Sequence, residues 1–194
     1  EKLVLDNTED YDKIFSNSFD EELGKLEEIT IKEQKMIGDM KVHGVELAAL
    51  VLKALKLKFP QYTVISAEEQ IFEPIIDSPG NYDYKGFLDL VIKTPDGKYH
   101  IIDWKSCSWG WDIRRKTDKM VTYQLTYYKH FFCKKHNIDP TMVETYFGLL
   151  KRTAKKNRIE IFRVSSGQKK INNSLNVLNK AVYNIHNKNH PKNR

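Results

Sequence analysis

Cysteine is scarce here: Cys107 and Cys133 are the only two in 194 residues. Two thiols so far apart cannot hold an iron–sulfur cluster alone, and they match no zinc-ligand spacing. Reduced thiols in an intracellular protein are therefore expected. No apolar run approaches the roughly 20 residues of a membrane-spanning helix, and no stretch reads as a signal peptide. The expectation is an intracellular protein that is not secreted and has no membrane partner. The chain opens on Glu1 rather than Met, which suits a trimmed protein or part of a larger one. Internal repeats are missing too, and nothing marks a second domain. Acids are absent from residues 161–194, which carry seven bases, whereas residues 1–30 hold ten acids against three bases. The net charge of +6 is thus a basic body and tail behind an acidic start. Such a body suits a polyanionic partner.

With 40% apolar and 30% charged residues, the chain is long enough and apolar enough to bury a proper core. Thr8 can cap a helix that opens with Glu9 and Asp10, and residues 10–34 read as one or two short helices. A strong helix is expected over 35–57, ended by Phe59-Pro60, with Val42, Val45, Ala49 and Leu52 at helical spacing. Strand-like runs follow at 62–72, 84–93 and 98–106. Asp112 can cap a long helix over 113–135. Two more strands, 143–150 and 159–164, flank a basic turn, and a last helix covers 169–185 before an Asn/Lys/His-rich end. This order predicts an α/β (α+β) fold, a mixed sheet flanked by helices. The domain expectation is one unit over 1–194: an N-terminal helical extension (1–35), a core (36–166), and a C-terminal basic helix and tail (167–194).

Chemistry concentrates in Gly86-Phe87-Leu88-Asp89 and Asp103-Trp104-Lys105, with the two aspartates fourteen residues apart. Pro95-Asp96-Gly97 signals a turn between them, so both acids fall on neighbouring strands of a hairpin. A carboxylate in a strand built for burial carries a desolvation cost and needs a partner. Two side by side repel unless a cation sits between them, and a hard divalent ion such as Mg²⁺ fits oxygen donors. Lys105, two residues after Asp103, shares its face of the strand. Metal plus lysine suits phosphodiester hydrolysis, with the lysine opposite developing negative charge.

His43 lies on the strong helix, where a lone histidine is as a rule structural; the acidic hairpin, however, needs further ligands. Gln124 and Tyr128, four apart, share a helix face. They either face water or steady the lysine and substrate. Gly86-x-x-Asp89, Asp103-x-Lys105, Gln124-x-x-x-Tyr128 and the upstream His43 together resemble the RecB-type branch of the PD-(D/E)xK nucleases. Ile102-Asp103-Trp104-Lys105-Ser106 is similar in particular to a run in the mitochondrial genome maintenance exonuclease and related phage exonucleases. The resemblance covers about residues 36–132 and implies a restriction-endonuclease-like core. It implies that Asp89, Asp103, His43 and the Trp104 carbonyl bind Mg²⁺ or Mn²⁺, and that Lys105 orients or activates the attacking water. Gln124 and Tyr128 would then support the lysine and the DNA backbone. The iron–sulfur members of the family use four cysteines, so that subgroup is excluded.

Arg114, Arg115 and Lys116 after the second acidic strand, and Lys151 and Arg152 at the later turn, form basic groups able to neutralise phosphates. Trp109, Trp111, Tyr127 and Tyr128 interleave with them and could stack unpaired bases, though part of this set belongs to a core. Glu68, Glu69 and Glu73 read mainly as solvent-facing. The resulting expectation is a metal-dependent DNA exonuclease acting on ends or single strands. The alternatives are an RNA endonuclease of the cap-snatching type and an inactive nucleic-acid-binding module.

Overall fold

The structure, a computed structural model, describes residues 10–26 and 30–189. Thr8 and its expected cap lie outside them. Helix α1 (Tyr11–Leu23) follows Asp10 and ends at Gly24. Helix α2 (Ile31–Lys58) starts four residues before the expected 35, because Thr30 and Glu33 close a capping box. The Thr30 hydroxyl accepts from the Glu33 amide while the Glu33 carboxylate accepts from the Thr30 amide at 2.8 Å. That reciprocal pairing satisfies two amides a helix start would leave open. The helix ends at Phe59, ahead of Pro60, where continuation is sterically disfavoured.

Five strands follow: β1 (Thr63–Pro74), β2 (Asp83–Lys93), β3 (Tyr99–Cys107), β4 (Val143–Lys151) and β5 (Ile159–Val164). They form one sheet in chain order, β1-β2-β3-β4-β5. All neighbours are antiparallel except β3 and β4, which are parallel. A parallel pair needs a crossover, supplied here by α3 (Ile113–Thr117) and α4 (Lys119–His136). One helix over 113–135 was expected. Asp118 divides it, its carboxylate accepting from the amides of Met120 and Val121 and so capping α4. A short 3₁₀ turn (Pro140–Met142) leads into β4, and α5 (Gln168–His186) follows β5.

The sheet is covered on both faces, giving the mixed α/β architecture that the element order implied. On one face Leu52 and Leu55 of α2, with Phe59, pack on Leu90, Ile92, Ile102 and Tyr146. On the other, Leu125, Phe131 and Phe132 of α4 pack on Leu88, Val91, Ile101 and Phe147, with Val182 of α5 behind them. Burying such side chains contributes about 1.5–3 kcal/mol each, the main term holding the layers together.

One departure from regularity positions the site. Strands β2 and β3 pair only from Leu90↔Ile102 to Lys93↔Tyr99. Beyond Leu90, β2 stays bonded to β1 as far as Asp83, and beyond Ile102, β3 stays bonded to β4 through Cys107. The sheet therefore splits, and Asp89 and Asp103 stand one step past the last shared pair.

Candidate active site

At the point of the split the backbone of Trp104 has lost its cross-strand partner on β2. Asp89 replaces it: its Oδ2 accepts the Trp104 N–H at 2.7 Å. An extended strand turns a residue's N–H and C=O to the same edge, so the Trp104 carbonyl also faces the gap. The Trp104 indole lies on the α2 side, over Gly148 of β4, where a Cβ would fall inside its ring.

Asp103 is 1% exposed. Lys105 Nζ lies 2.7 Å from its Oδ2, an ion pair without hydrogen-bond alignment, which leaves that buried oxygen lacking a directed donor. Burial is the largest influence on Asp103 and pushes its pKa up to about 6; the neighbouring Asp89 pushes the same way and Lys105 against. Asp89 is raised for the same first reason, burial, with Glu68 adding to it and the Trp104 amide and Lys105 opposing. Two desolvated carboxylates with surplus negative charge, an under-satisfied oxygen and a carbonyl at the same edge make a hard oxygen donor set, which fits a small divalent cation.

Gln124 and Tyr128 meet as their spacing predicts, Gln124 Nε2 donating to the Tyr128 hydroxyl at 3.0 Å. Tyr128 is buried over β2 and feels the charges of Asp103, Asp89 and Glu68. It fits there because Gly86 has no side chain: a Cβ would meet its ring at 3.0 Å. The glycine of the Gly86-x-x-Asp89 motif thus makes room for the tyrosine of the later one.

His43 is half-buried on α2 beside Gly44, whose missing Cβ admits the Phe15 ring. Among the described residues no three His, Cys, Asp or Glu side chains gather as a ligand group. Glu68, read from the sequence as solvent-facing, is exposed but stands opposite Asp89 in the β1–β2 register, between Ala67↔Leu90 and Glu69↔Leu88. It has the left-handed φ of 51°, uncommon for a non-glycine strand residue. Nothing in the sequence marks that twist. Its neighbours are occupied: the Glu69 carboxylate takes Lys135, His136 and Ser66, and Glu73 lies 4.0 Å from Lys134.

The basic groups divide similarly. Lys116 and Lys151 both pair with Glu160, and Arg115 stacks on Trp111 at 4.5 Å. Arg114 is exposed and, among the described residues, has no ion-pair partner. Arg152 lines a groove of about 370 Å³ between α1, α2 and the ends of β3 and β4, with Phe15, Met40 and Trp104. Of the four aromatics, Trp111 packs on Phe147 and Phe162, Tyr127 bonds the Ser174 carbonyl, and Tyr128 is buried. Trp109 alone stays open, at 70% exposure.

No curated protein matches the chain. Among solved structures it is similar to the crystal structure of SSO0001, with 15% identity, a TM-score of 0.45, and coverage of 87% of this chain and 82% of that one. The model of the PD-(D/E)XK nuclease superfamily matches residues 4–194, and the chain belongs to that superfamily.

Proposed function

We propose that this nuclease is a divalent-metal-dependent DNA exonuclease that acts on ends or single strands. The observation that carries the reading is the pair Asp89 and Asp103 at the split, with Lys105 at 2.7 Å from the second. Asp89, Asp103 and the Trp104 carbonyl would hold Mg²⁺ or Mn²⁺, with His43 on the adjacent helix, and such an ion would supply Lewis acidity at the phosphate and acidify a water. Lys105 places its side-chain nitrogen where negative charge develops on the phosphoryl oxygens, and holds the attacking water in line. Asp103 in turn fixes the lysine by their ion pair. Gln124 restrains the Tyr128 hydroxyl, which packs beside the acids to bound the phosphate site. Glu68 adds a carboxylate at the rim. The preference for single strands rests on the groove under α1, whose Phe15, Met40 and Trp104 side chains suit unpaired bases and whose Arg152 suits a phosphate.

The test is digestion of end-labelled linear single-stranded DNA, circular single-stranded DNA and RNA, with Mg²⁺ or Mn²⁺ and with EDTA. Metal-dependent loss of linear DNA, sparing the circle, is expected. Cutting of circles or preference for RNA would sink the exonuclease reading, and a Lys105→Ala protein as fast as the parent would sink the mechanism.

A further inference from the structure

At the opposite end of the sheet, where β4 begins and β5 ends, a cavity of about 300 Å³ opens beneath the N-terminus of α5. Lys129, Thr141, Glu144, Arg163, Ser165 and Gln168 are among the residues that line it. Lys129 is 7% exposed, yet among the described residues its ammonium has neither a hydrogen bond nor an ion pair. Burial pulls its pKa below the ordinary lysine value, the mark of an ammonium left short of compensation. The nearby acids are committed elsewhere. Glu144 takes the Tyr146 hydroxyl at 2.6 Å and Arg163 at 3.2 Å, and Asp139 takes the amide and hydroxyl of Thr141, both at 2.7 Å. Cys133, which also faces Lys129, is neutral, since burial pushes its thiol up to about 11.

The helix adds a second, independent demand for an anion. Helix α5 runs for 19 residues and opens on Gly167 with no side-chain cap. The Gln168 amide group donates to Asn172 instead of turning back to the helix start. The backbone amides of Gln168 and Lys169 meet no acceptor among the described residues. The first turn holds Lys169 and Lys170 and no acid. That inverts the favoured arrangement, in which negative charge sits at the positive end of the helix dipole. A largely buried lysine without a partner, an arginine and an uncapped helix start leave the cavity short of negative charge on every side except Glu144.

We propose that this cavity is a binding site for a phosphate-class dianion, free phosphate or a small phosphomonoester. Lys129 provides the largely buried cation, the α5 amides of Gln168 and Lys169 the backbone donors, and Arg163 and the Ser165 hydroxyl the rim. The cavity lies at the low end of small-ligand volumes, so the ligand is no larger than a mononucleotide.

The experiment is thermal unfolding of the full chain in EDTA, with inorganic phosphate titrated against chloride at constant ionic strength. The midpoint is expected to rise with phosphate, as for a ligand that binds only the folded state. Lys129→Met should unfold cooperatively at or above the parent's midpoint without phosphate. Its phosphate affinity should be about tenfold lower or worse, the effect of losing one charge-assisted hydrogen bond. Should Lys129→Met fail to fold, Arg163→Gln, altered at an exposed side chain, should still weaken the response. Lys105→Ala should keep it, since the nuclease centre is elsewhere. Deoxyadenosine monophosphate in place of phosphate separates the sources: tighter binding identifies a nucleotide, equal binding the free anion. The proposal fails if the parent does not respond, if both Lys129→Met and Arg163→Gln respond as the parent does, or if Lys105→Ala removes the response.

Discussion

Asp103 is held against its own preference: buried, beside a second carboxylate, with a lysine that contacts it without a well-directed hydrogen bond. A side chain kept at a cost to folding separates activity from stability. Asp103→Asn should lower metal-dependent cleavage by about 100-fold or more, the scale of losing one transition-state contact, while its thermal midpoint stays level or rises. A lowered midpoint would show that Asp103 serves the fold instead. His100 makes a different case. It is buried between Phe59 and Tyr146, Nε2 meets Thr94 Oγ1 at 2.8 Å, and Nδ1 has no hydrogen bond. Burial lowers its pKa, with Lys98 and Arg163 pushing the same way and Glu144 and Asp96 opposing. In the unfolded chain it takes a proton at its ordinary value, roughly 6.5, while the folded chain resists. Its stabilising effect is therefore complete above about pH 6.5 and is lost as pH falls below that. Denaturant unfolding at pH 7 and pH 5 should show a smaller loss for His100→Gln than for the parent. His130, also lowered by burial, adds the same slope to both proteins and cancels from the difference.

Between elements, Gly148 and Trp104 decide how closely β3 and β4 support the split. A Cβ at Gly148 would lie inside the indole, so Gly148→Ala must push Trp104 off its seat. Overpacking of this kind costs about 1–3 kcal/mol. Because the Trp104 amide is bonded to Asp89, cleavage should fall together with the urea midpoint. A variant that loses stability but cleaves normally would uncouple the two. This dependence marks where the sequence stops being readable. Strands 84–93 and 159–164 could be placed to within a residue because their β-branched and aromatic runs end at turn residues. The acidic pair, Lys105 and the Gln124–Tyr128 pair were legible from spacing alone, since strand and helix periods fix which side chains share a face. The Thr30-x-x-Glu33 cap was passed over, because the apolar periodicity drew the helix start to 35. Asp118 was missed as a break because the apolar pattern runs on through it. The parting of β2 from β3, the twist at Glu68 and the glycine under Trp104 depend on which strand lies beside which, and no local pattern records that.

Across the whole molecule, the bases that suggest a polyanion in the sequence are largely engaged in the fold. Lys116 and Lys151 share Glu160, Arg158 pairs with Glu46 at 2.6 Å, and Lys98 and Arg163 surround Glu144. A net charge of +6 thus overstates what is free to meet a phosphate backbone. Salt dependence of binding tells free from engaged, because each phosphate neutralised releases counterions. Arg114 follows the strand that carries Lys105 and has no ion-pair partner among the described residues. With labelled single-stranded DNA and EDTA to prevent cutting, Arg114→Ala should weaken binding and flatten the slope of log affinity against log salt by about 0.7. Lys116→Ala should leave that slope unchanged. It should instead lower stability by about 1 kcal/mol or less, the scale of a half-exposed ion pair whose acid keeps a second partner. If both variants change the slope equally, the Glu160 pairs open to meet DNA and the engaged lysines count as part of the binding face. If neither does, the strand is held by the groove under α1, and the test moves to Arg152.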